Sequence, residues 1–521
     1  MPASVWGSEV VAGRYGGHPG LVYEPRPQTF GELIEGTRRW NERTFLVQGA
    51  RRISFAEFNS RVVAARQYLR ESGIERGARV LLFAYNSPEW AVALWSLWMV
   101  GAVPVLGNRW WSPREFEHAV NLTGPAHAIC DTELPDSVAV RTTEIGRFHT
   151  FLGTATDGVA VEELDEDCAA VILFTSGSSG MPKAVELSRR AVIGNQHSIL
   201  VRSNRLPDRL DPSAPQTVNL ASTPMFHVGG LSNLLTHFLT GGRIVLTEGR
   251  FDAKQILDLI QTERVHIWGA VPTMAIRVLE HSDFDSYDLS SLRSWPLGGA
   301  PVTAALLDRI RAKLPGLSRH GLGNTWGMTE SGGFLTMAIG SDLERFPGTV
   351  GRPYPVVELK IERPNADGTG EILARSPSVM LGYAGIDDGT VDSEGWLHTG
   401  DLGHINDEGY LFIDGRSKDV VIRGGENIAC PHVEAALATH PAVVEVAAVG
   451  LPHPELGEEL AAVVVHRPDT PPPTEDELRD HLSGVVAYFA IPTRWEIRTQ
   501  PLPTLAGEKV DKRTLVAQFA S

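Results

Sequence analysis

VILFTSGSSGMPKAVELS, running from Val171 to Ser188, is the stretch from which the rest of the chain is best read. Val171–Phe174 is a short apolar run, as expected of a buried strand. The nine positions from Thr175 to Lys183 then gather hydroxyls, two glycines and one lysine. Gly177 and Gly180 let backbone N–H groups turn inward round an anion with no Cβ in the way. Thr175, Ser176, Ser178 and Ser179 add hydroxyl donors, and Lys183 adds positive charge. A strand feeding such a loop predicts a phosphate site on an α/β sheet. It is not the common P-loop, because Lys183 follows Met181-Pro182. A flexible Gly/Ser linker would need neither the strand before it nor the lysine after it.

Working outward, the same strand character recurs. RVLLFAYNS (79–87) reads as a strand, the stretch from Trp90 as a buried helix, and AVPVLGN (102–108) as a second strand. Strand, helix, strand at this spacing is a βαβ unit of a parallel sheet. GPAHAICD (124–131), GGRIVLTEG (241–249), a helix from Asp252 and RVHIWGAVP (264–272) repeat the pattern. Ser54 and Glu57 have the spacing of a capping box. With 521 residues, more than one core is expected. The expected fold is a large multi-sheet α/β domain over 1–415, followed by a small, mobile α+β domain over 416–521. The smaller part has short elements: DVVIR, a Gly-Gly loop, a helix entered at Pro431, two strands, and a helix capped by Thr474 and Glu477.

Composition narrows the class. Apolar residues make up 42% and charged ones 21%, ordinary for a globular protein. A net charge of −16 argues against a broad nucleic-acid or anionic-membrane surface, though not against a local anion site. Cys130, Cys168 and Cys430 lie far apart without metal spacing, which predicts reduced thiols and a cytoplasmic setting. The N-terminal stretch lacks the apolar core of a signal peptide, and Gly101 and Pro104 break the most apolar run, so no membrane segment is expected. The sequence leaves assembly open, a homodimer included.

The Val171–Ser188 segment resembles the signature loop of the adenylate-forming superfamily, which includes acyl-CoA synthetases, luciferase and peptide-synthetase adenylation domains. Fatty acyl-CoA synthetases are the nearest in pattern, and the remaining motifs follow in order along the chain. By that resemblance, ATP is held by Thr175, Ser176, Gly177, Ser178, Ser179, Gly180 and Lys183. The turn SWPLGGAP brings Gly299, Ala300 and Pro301 against adenine, with Gly298 leaving room for an acyl chain. GNTWGMTE supplies Asn324, Thr325, Trp326, Gly327 and Thr329 for the nucleotide and Glu330 for Mg²⁺. Relatives usually carry Tyr where this chain has Trp326. PMFHVGG places His227 and Val228 at the acyl site. Asp401, read as lying in a tight Gly-flanked turn, would accept the ribose hydroxyls, and Arg416 would reach ribose and phosphate. Lys418 falls at the hinge, and Gly424, Gly425 and Glu426 line a tunnel for the thiol of coenzyme A. Lys509 matches the catalytic lysine, with Lys512 as the competitor if the register slips. Relatives usually read Gly-Lys there, whereas Glu508 precedes the lysine in this chain.

The resemblance implies a ligase whose partners are a small carboxylic acid, ATP with Mg²⁺, and coenzyme A. The acid attacks the α-phosphate, pyrophosphate leaves, and a thiol then takes the acyl group from the adenylate. Lys509, Thr329 and Arg416 are the expected catalytic residues. A hydrophobic acid is expected, fatty first and aromatic second. An acyl-AMP ligase that loads a carrier protein and an inactive binding homologue stand as rivals. An amino-acid substrate is disfavoured because PMFHVGG has no Asp to hold an ammonium.

Overall fold

The computed structural model describes residues 5–135, 138–151, 165–176, 181–317, 321–386, 388–416, 420–423, 426–483, 485–505 and 508–520. The βαβ reading at residues 79–108 holds. The strand Arg79–Phe83 runs parallel to Val103–Leu106, and the helix Pro88–Val100 crosses between them. Ser87 caps that helix by accepting the Trp90 N–H at 3.1 Å, Pro88 occupies its first turn, and Gly101 ends it at φ +84°. Every residue of this helix is buried, so the apolar run is a core helix. Its one carboxylate, Glu89, is paired with Arg51 at 2.7 Å.

Besides the antiparallel ribbon of Glu9–Tyr15 and His18–Glu24, three larger sheets build the N-terminal region among the described residues. One has seven strands, in the order Gly382–Tyr383, Pro182–Ser188, Ala169–Ser176, Val103–Leu106, Arg79–Phe83, His127–Cys130 and Arg141–Glu144. A second has five: Ile267–Trp268, Val218–Ala221, Arg243–Leu246, Thr44–Gln48 and Arg51–Ser54. One continuous core joins the facing sides of these two sheets through the helices Pro88–Val100 and Val228–Leu239. Trp95 and Phe238 meet there with ring centroids 4.4 Å apart. The third sheet has eight strands, from Trp295–Gly298 and Leu322–Met328 at one edge, through Leu411–Arg416 and Leu397–Ile405, to Gly370–Arg375 and Glu358–Glu362 at the other.

Leu411–Arg416 is, in chain order, the last strand of the eight-stranded sheet, and Val420–Arg423 belongs to the five-stranded C-terminal sheet. The boundary expected at 415/416 therefore falls one residue inside a strand. The C-terminal sheet packs the helices Cys430–Leu437 and Glu475–Leu482 on one face and the helix Lys512–Ala520 on the other.

Local expectations fare unevenly. Thr474 and Glu477 form a full capping box. Ser54 accepts the Glu57 N–H at 3.1 Å, but the Glu57 carboxylate turns to Arg61 at 2.6 Å, so only half of that box exists. Asp401 is not in a tight turn; it lies inside the strand Leu397–Ile405. Its flanking Gly400 is at φ +67°, and the pairing register shifts between Leu402 and Gly403, so the glycines mark a bulged strand. The three cysteines are free, and no helix among the described residues is long and apolar enough to cross a membrane.

Candidate active site

The antiparallel hairpin of Ala169–Ser176 and Pro182–Ser188 sets Lys183 directly opposite Thr175. Lys183 Nζ donates to Asp388 Oδ2 at 2.9 Å and lies 4.3 Å above the Tyr383 ring. Tyr383 stands on the short edge strand that pairs with Pro182–Ser188, and its hydroxyl donates to Glu330 Oε1 at 2.8 Å. Burial and the Glu330 charge push the Tyr383 phenol well above its ordinary range, so it stays a donor. This chain of contacts ties the hairpin to Glu330, which is 7% exposed. Sequence reasoning missed both Tyr383 and Asp388. They sit in VMLGYAGIDDG, which carries no motif, and only strand pairing brings them in.

The strand Leu322–Met328 lies parallel to Trp295–Gly298, with Gly298 beside Thr325. A Cβ on Gly298 would stand 2.3 Å from Thr325 Oγ1, so its packing on Thr325 already requires glycine, whatever an acyl chain needs. The Thr325 hydroxyl donates to the Leu297 carbonyl at 3.3 Å, and Asn324 Nδ2 donates to the Thr349 carbonyl at 3.0 Å. These two side chains are buried and serve the sheet. Gly327 lies where a Cβ would strike the Gly333 carbonyl at 2.0 Å. Trp326 is only 7% exposed, so most of its ring packs in the core, whereas a stacking platform was expected. Its indole N–H instead donates to Asp401 Oδ2 at 2.8 Å. Asp401 Oδ1 accepts from Arg416 Nε at 2.9 Å, across the ladder where these two residues are direct partners. Thr329 is half-buried in the turn before Gly332, whose N–H reaches the Thr329 carbonyl at 3.0 Å.

Lys509 comes to this site from the C-terminal domain. Gly299, at φ +76°, faces it so closely that a Cβ there would lie 3.5 Å from Lys509 Cε and 3.9 Å from Nζ. Gly299 and Pro301 are exposed and Ala300 is half-buried, so the turn opens to the cleft. Lys509 is solvent-accessible, yet it points into the cleft and is surrounded by protein mass. That partial desolvation and the nearby Arg416 lower its ammonium below the usual lysine range, against the opposing pull of Glu330 and Asp401. Lys512, the competing candidate, pairs with Glu434 at 2.7 Å inside its own domain.

His227 and Val228 are half-buried at the start of the helix Val228–Leu239. Gly230 lets that helix start close to the preceding turn, since a Cβ there would lie 2.1 Å from the Pro224 carbonyl. Beside His227 is a pocket at the carboxyl ends of Arg79–Phe83, Val218–Ala221 and Arg243–Leu246. Its lining includes Tyr85, Trp110, Phe226, Phe251, Met274 and Glu508. Such strand ends are a common place for ligand crevices in α/β sheets. Glu426 is exposed on the strand Glu426–Ala429. Gly177, Ser178, Ser179, Gly180, Lys418, Gly424 and Gly425, with the side chain of Ser176, lie outside the described residues.

The structure thus brings one amine, one guanidinium and two buried carboxylates to the junction of the two parts, with Lys183 linked in through Tyr383. That set suits a phosphate-bearing anion with an accompanying cation.

Comparison with known proteins agrees in fold and order. The family described as AMP-binding enzyme matches residues 34–384, and the AMP-binding enzyme C-terminal domain matches 432–507. A 2-succinylbenzoate–CoA ligase of Bacillus cereus (strain ATCC 14579) is 32% identical over 483 residues, covering 91% of this chain and 95% of its own. YngI of Bacillus subtilis (strain 168), provisionally named an acyl-CoA synthetase, is 30% identical over 542 residues, with 94% and 96% covered. The o-succinylbenzoate CoA synthetase of Bacillus subtilis, solved with its acyl-adenylate, superposes with a TM-score of 0.78 at 26% identity, covering 93% and 97%. A further structure of that enzyme holds ATP and a magnesium ion, also at a TM-score of 0.78 and 26% identity, with 94% and 99% covered.

Proposed function

The chain belongs to the AMP-binding enzyme family, and on that premise we propose that it is an AMP-forming acid–thiol ligase that couples an aromatic carboxylic acid to coenzyme A. The observation that carries the reading is the meeting of Lys509 with Gly299, Glu330, Asp401 and Arg416. A carboxylate is a poor electrophile because attack on it must expel oxide. Its attack on the ATP α-phosphate, with loss of pyrophosphate, gives an acyl-adenylate whose leaving group is AMP. A thiol then attacks the acyl carbon and AMP departs.

The residues support this as positioning and charge neutralisation. Lys509 would bridge the acid's carboxylate and the α-phosphate oxygens, with Thr329 as a hydroxyl donor beside them. Asp401 would accept from the ribose through lone pairs left by Trp326 and Arg416. Lys183 would trade Asp388 for the outer phosphates. Glu330 fits a Mg²⁺ ligand, because it is a buried carboxylate with one oxygen anchored by Tyr383. Bound there, the ion would neutralise charge on the triphosphate. The hinge role of Lys418 and the thiol-tunnel role of Gly424, Gly425 and Glu426 rest on the resemblance alone.

The first-choice expectation of a fatty acid gives way to its aromatic alternative. The 2-succinylbenzoate–CoA ligase and the o-succinylbenzoate CoA synthetase are named for an aromatic acid, and the rings of Tyr85, Trp110, Phe226 and Phe251 line the pocket beside His227. The test is pyrophosphate release from ATP and Mg²⁺ over a panel of aromatic, fatty and amino acids, each with and without CoA. Turnover that needs both an aromatic acid and CoA is expected. Turnover with fatty acids alone would reverse the substrate reading. A single stoichiometric release indifferent to CoA would move the acceptor to a carrier protein.

A further inference from the structure

Glu508 adopts φ +61°, a left-handed conformation that an L-residue enters only at a cost. A glycine would hold it freely, so the carboxylate must repay what the backbone loses. Glu508 Oε2 forms a close ion pair with Arg277 and accepts the Thr504 hydroxyl at 3.2 Å. Arg277 lies on the helix Pro272–Leu279 of the N-terminal region, so this pair crosses between the two parts of the chain. Its guanidinium also donates to the Leu502 carbonyl at 3.4 Å and stands 3.8 Å from Glu445 Oε1. Glu445 is 7% exposed and accepts the Leu502 N–H at 2.9 Å. One arginine therefore grips three points of the C-terminal domain: Glu508, Leu502 and Glu445.

The same helix reaches the spot where Lys509 lands. Its N-cap residue Val271 and Lys509 both face Gly299, with Val271 Cγ1 3.6 Å and Lys509 Cε 3.5 Å from the position of a Cβ there. The helix walls the lysine's landing site at one end and holds the adjacent residue at the other. Exposed ion pairs are weak, but here the side chains of Arg277 and Glu508 are 25% and 20% exposed and share a hydrogen-bond network.

We propose that Glu508 and Arg277 are positioning residues for Lys509, clamping its loop to the helix Pro272–Leu279 so that the amine sits over Gly299. The inference rests on the reading of Lys509 as the adenylation lysine. It predicts an effect chiefly on the first half-reaction, since a thiol attacking a preformed adenylate does not need that amine.

The experiment uses the full-length chain with Glu508→Ala, Glu508→Gly and the exchange pair Arg277→Glu/Glu508→Arg. Pyrophosphate release and CoA capture of a supplied acyl-adenylate are measured separately. Hydrogen exchange is followed in peptides covering 272–279 and 502–511. Glu508→Ala should lower pyrophosphate release about tenfold and thioester formation by no more than about threefold, the smaller loss reflecting its place in the pocket lining. Glu508→Gly should behave the same although it relieves the backbone, and the exchange pair should recover only part of the loss, because a carboxylate at position 277 cannot donate to the Leu502 carbonyl and stands beside Glu445. Both peptides should exchange faster in the single variants. Equal loss in both half-reactions, a fully active Glu508→Gly, or faster exchange confined to 502–511 would overturn the proposal. Failure of the wild type to release pyrophosphate with any acid would instead sink the ligase reading. The exchange data would then decide the clamp alone: coupled changes support it and uncoupled ones refute it.

Discussion

On the proposed reading, the chemistry turns on the lysine at the cleft. Lys509→Ala is expected to cut adenylate formation by about a hundredfold or more while sparing thioester formation from a supplied acyl-adenylate; pre-steady-state assays of each half-reaction check this. Its lowered pKa gives a second readout. At pH 8–9 a larger share of Lys509 is neutral than of Lys254, whose ammonium Asp258 holds above the usual range, so an acylating reagent should modify Lys509 first. Lys509 was found by counting along its motif from Leu502-Pro503, and the structure brings that lysine, not Lys512, to the cleft. What surrounds it was not legible. Glu508 and Arg277 are 231 positions apart, Trp326 and Asp401 75, and Glu330 and Tyr383 53. No local pattern announces a pair that folding alone brings together. The indole–carboxylate bond also shows why Trp is acceptable at position 326: its N–H binds the buried carboxylate that the expected turn would have left open.

Elements were easier to read than side-chain roles, because their causes are local. Apolar runs and caps located the strands Arg79–Phe83 and Val103–Leu106 and the helix Pro88–Val100 between them. Asp401 misled for an equally local reason, since glycines on either side look the same in a turn and in a bulged strand. At Gly230 local sequence and tertiary packing meet. The helix Val228–Leu239 starts against the Pro224 carbonyl, and a methyl group there must push the two apart. Gly230→Ala should cost about 2 kcal/mol or more of stability, seen as a lower urea midpoint with an unchanged m-value, and it should displace His227. A variant as stable as the wild type would mean that the turn yields freely.

At the scale of the whole molecule, two buried histidines contribute to the response to acid. His197 is 1% exposed and donates to the Gly7 carbonyl at 2.7 Å; His237 is 7% exposed and donates to the Asn233 carbonyl at 3.0 Å. Burial lowers both from 6.5 to about 4. The unfolded chain therefore binds more protons between those values. Stability is fully present above about pH 6.5 and is lost as pH falls towards 4, by about 2 kcal/mol for each histidine at pH 5. Urea unfolding at pH 7 and pH 5 should show this loss, and His237→Gln should shrink it by about 2 kcal/mol. How the sheets interleave was the least legible level of all, since nothing in the order of strands says which sheet each joins. The shared core between the first two sheets also bears on biosynthesis. Trp95 waits for Phe238 through about 140 further residues, which a ribosome adds in roughly 7–30 s. Throughout that interval the Trp95 ring of the nascent helix Pro88–Val100 lacks the Phe238 ring that packs on it, and an apolar surface that emerges early and is covered late is a natural client for chaperones.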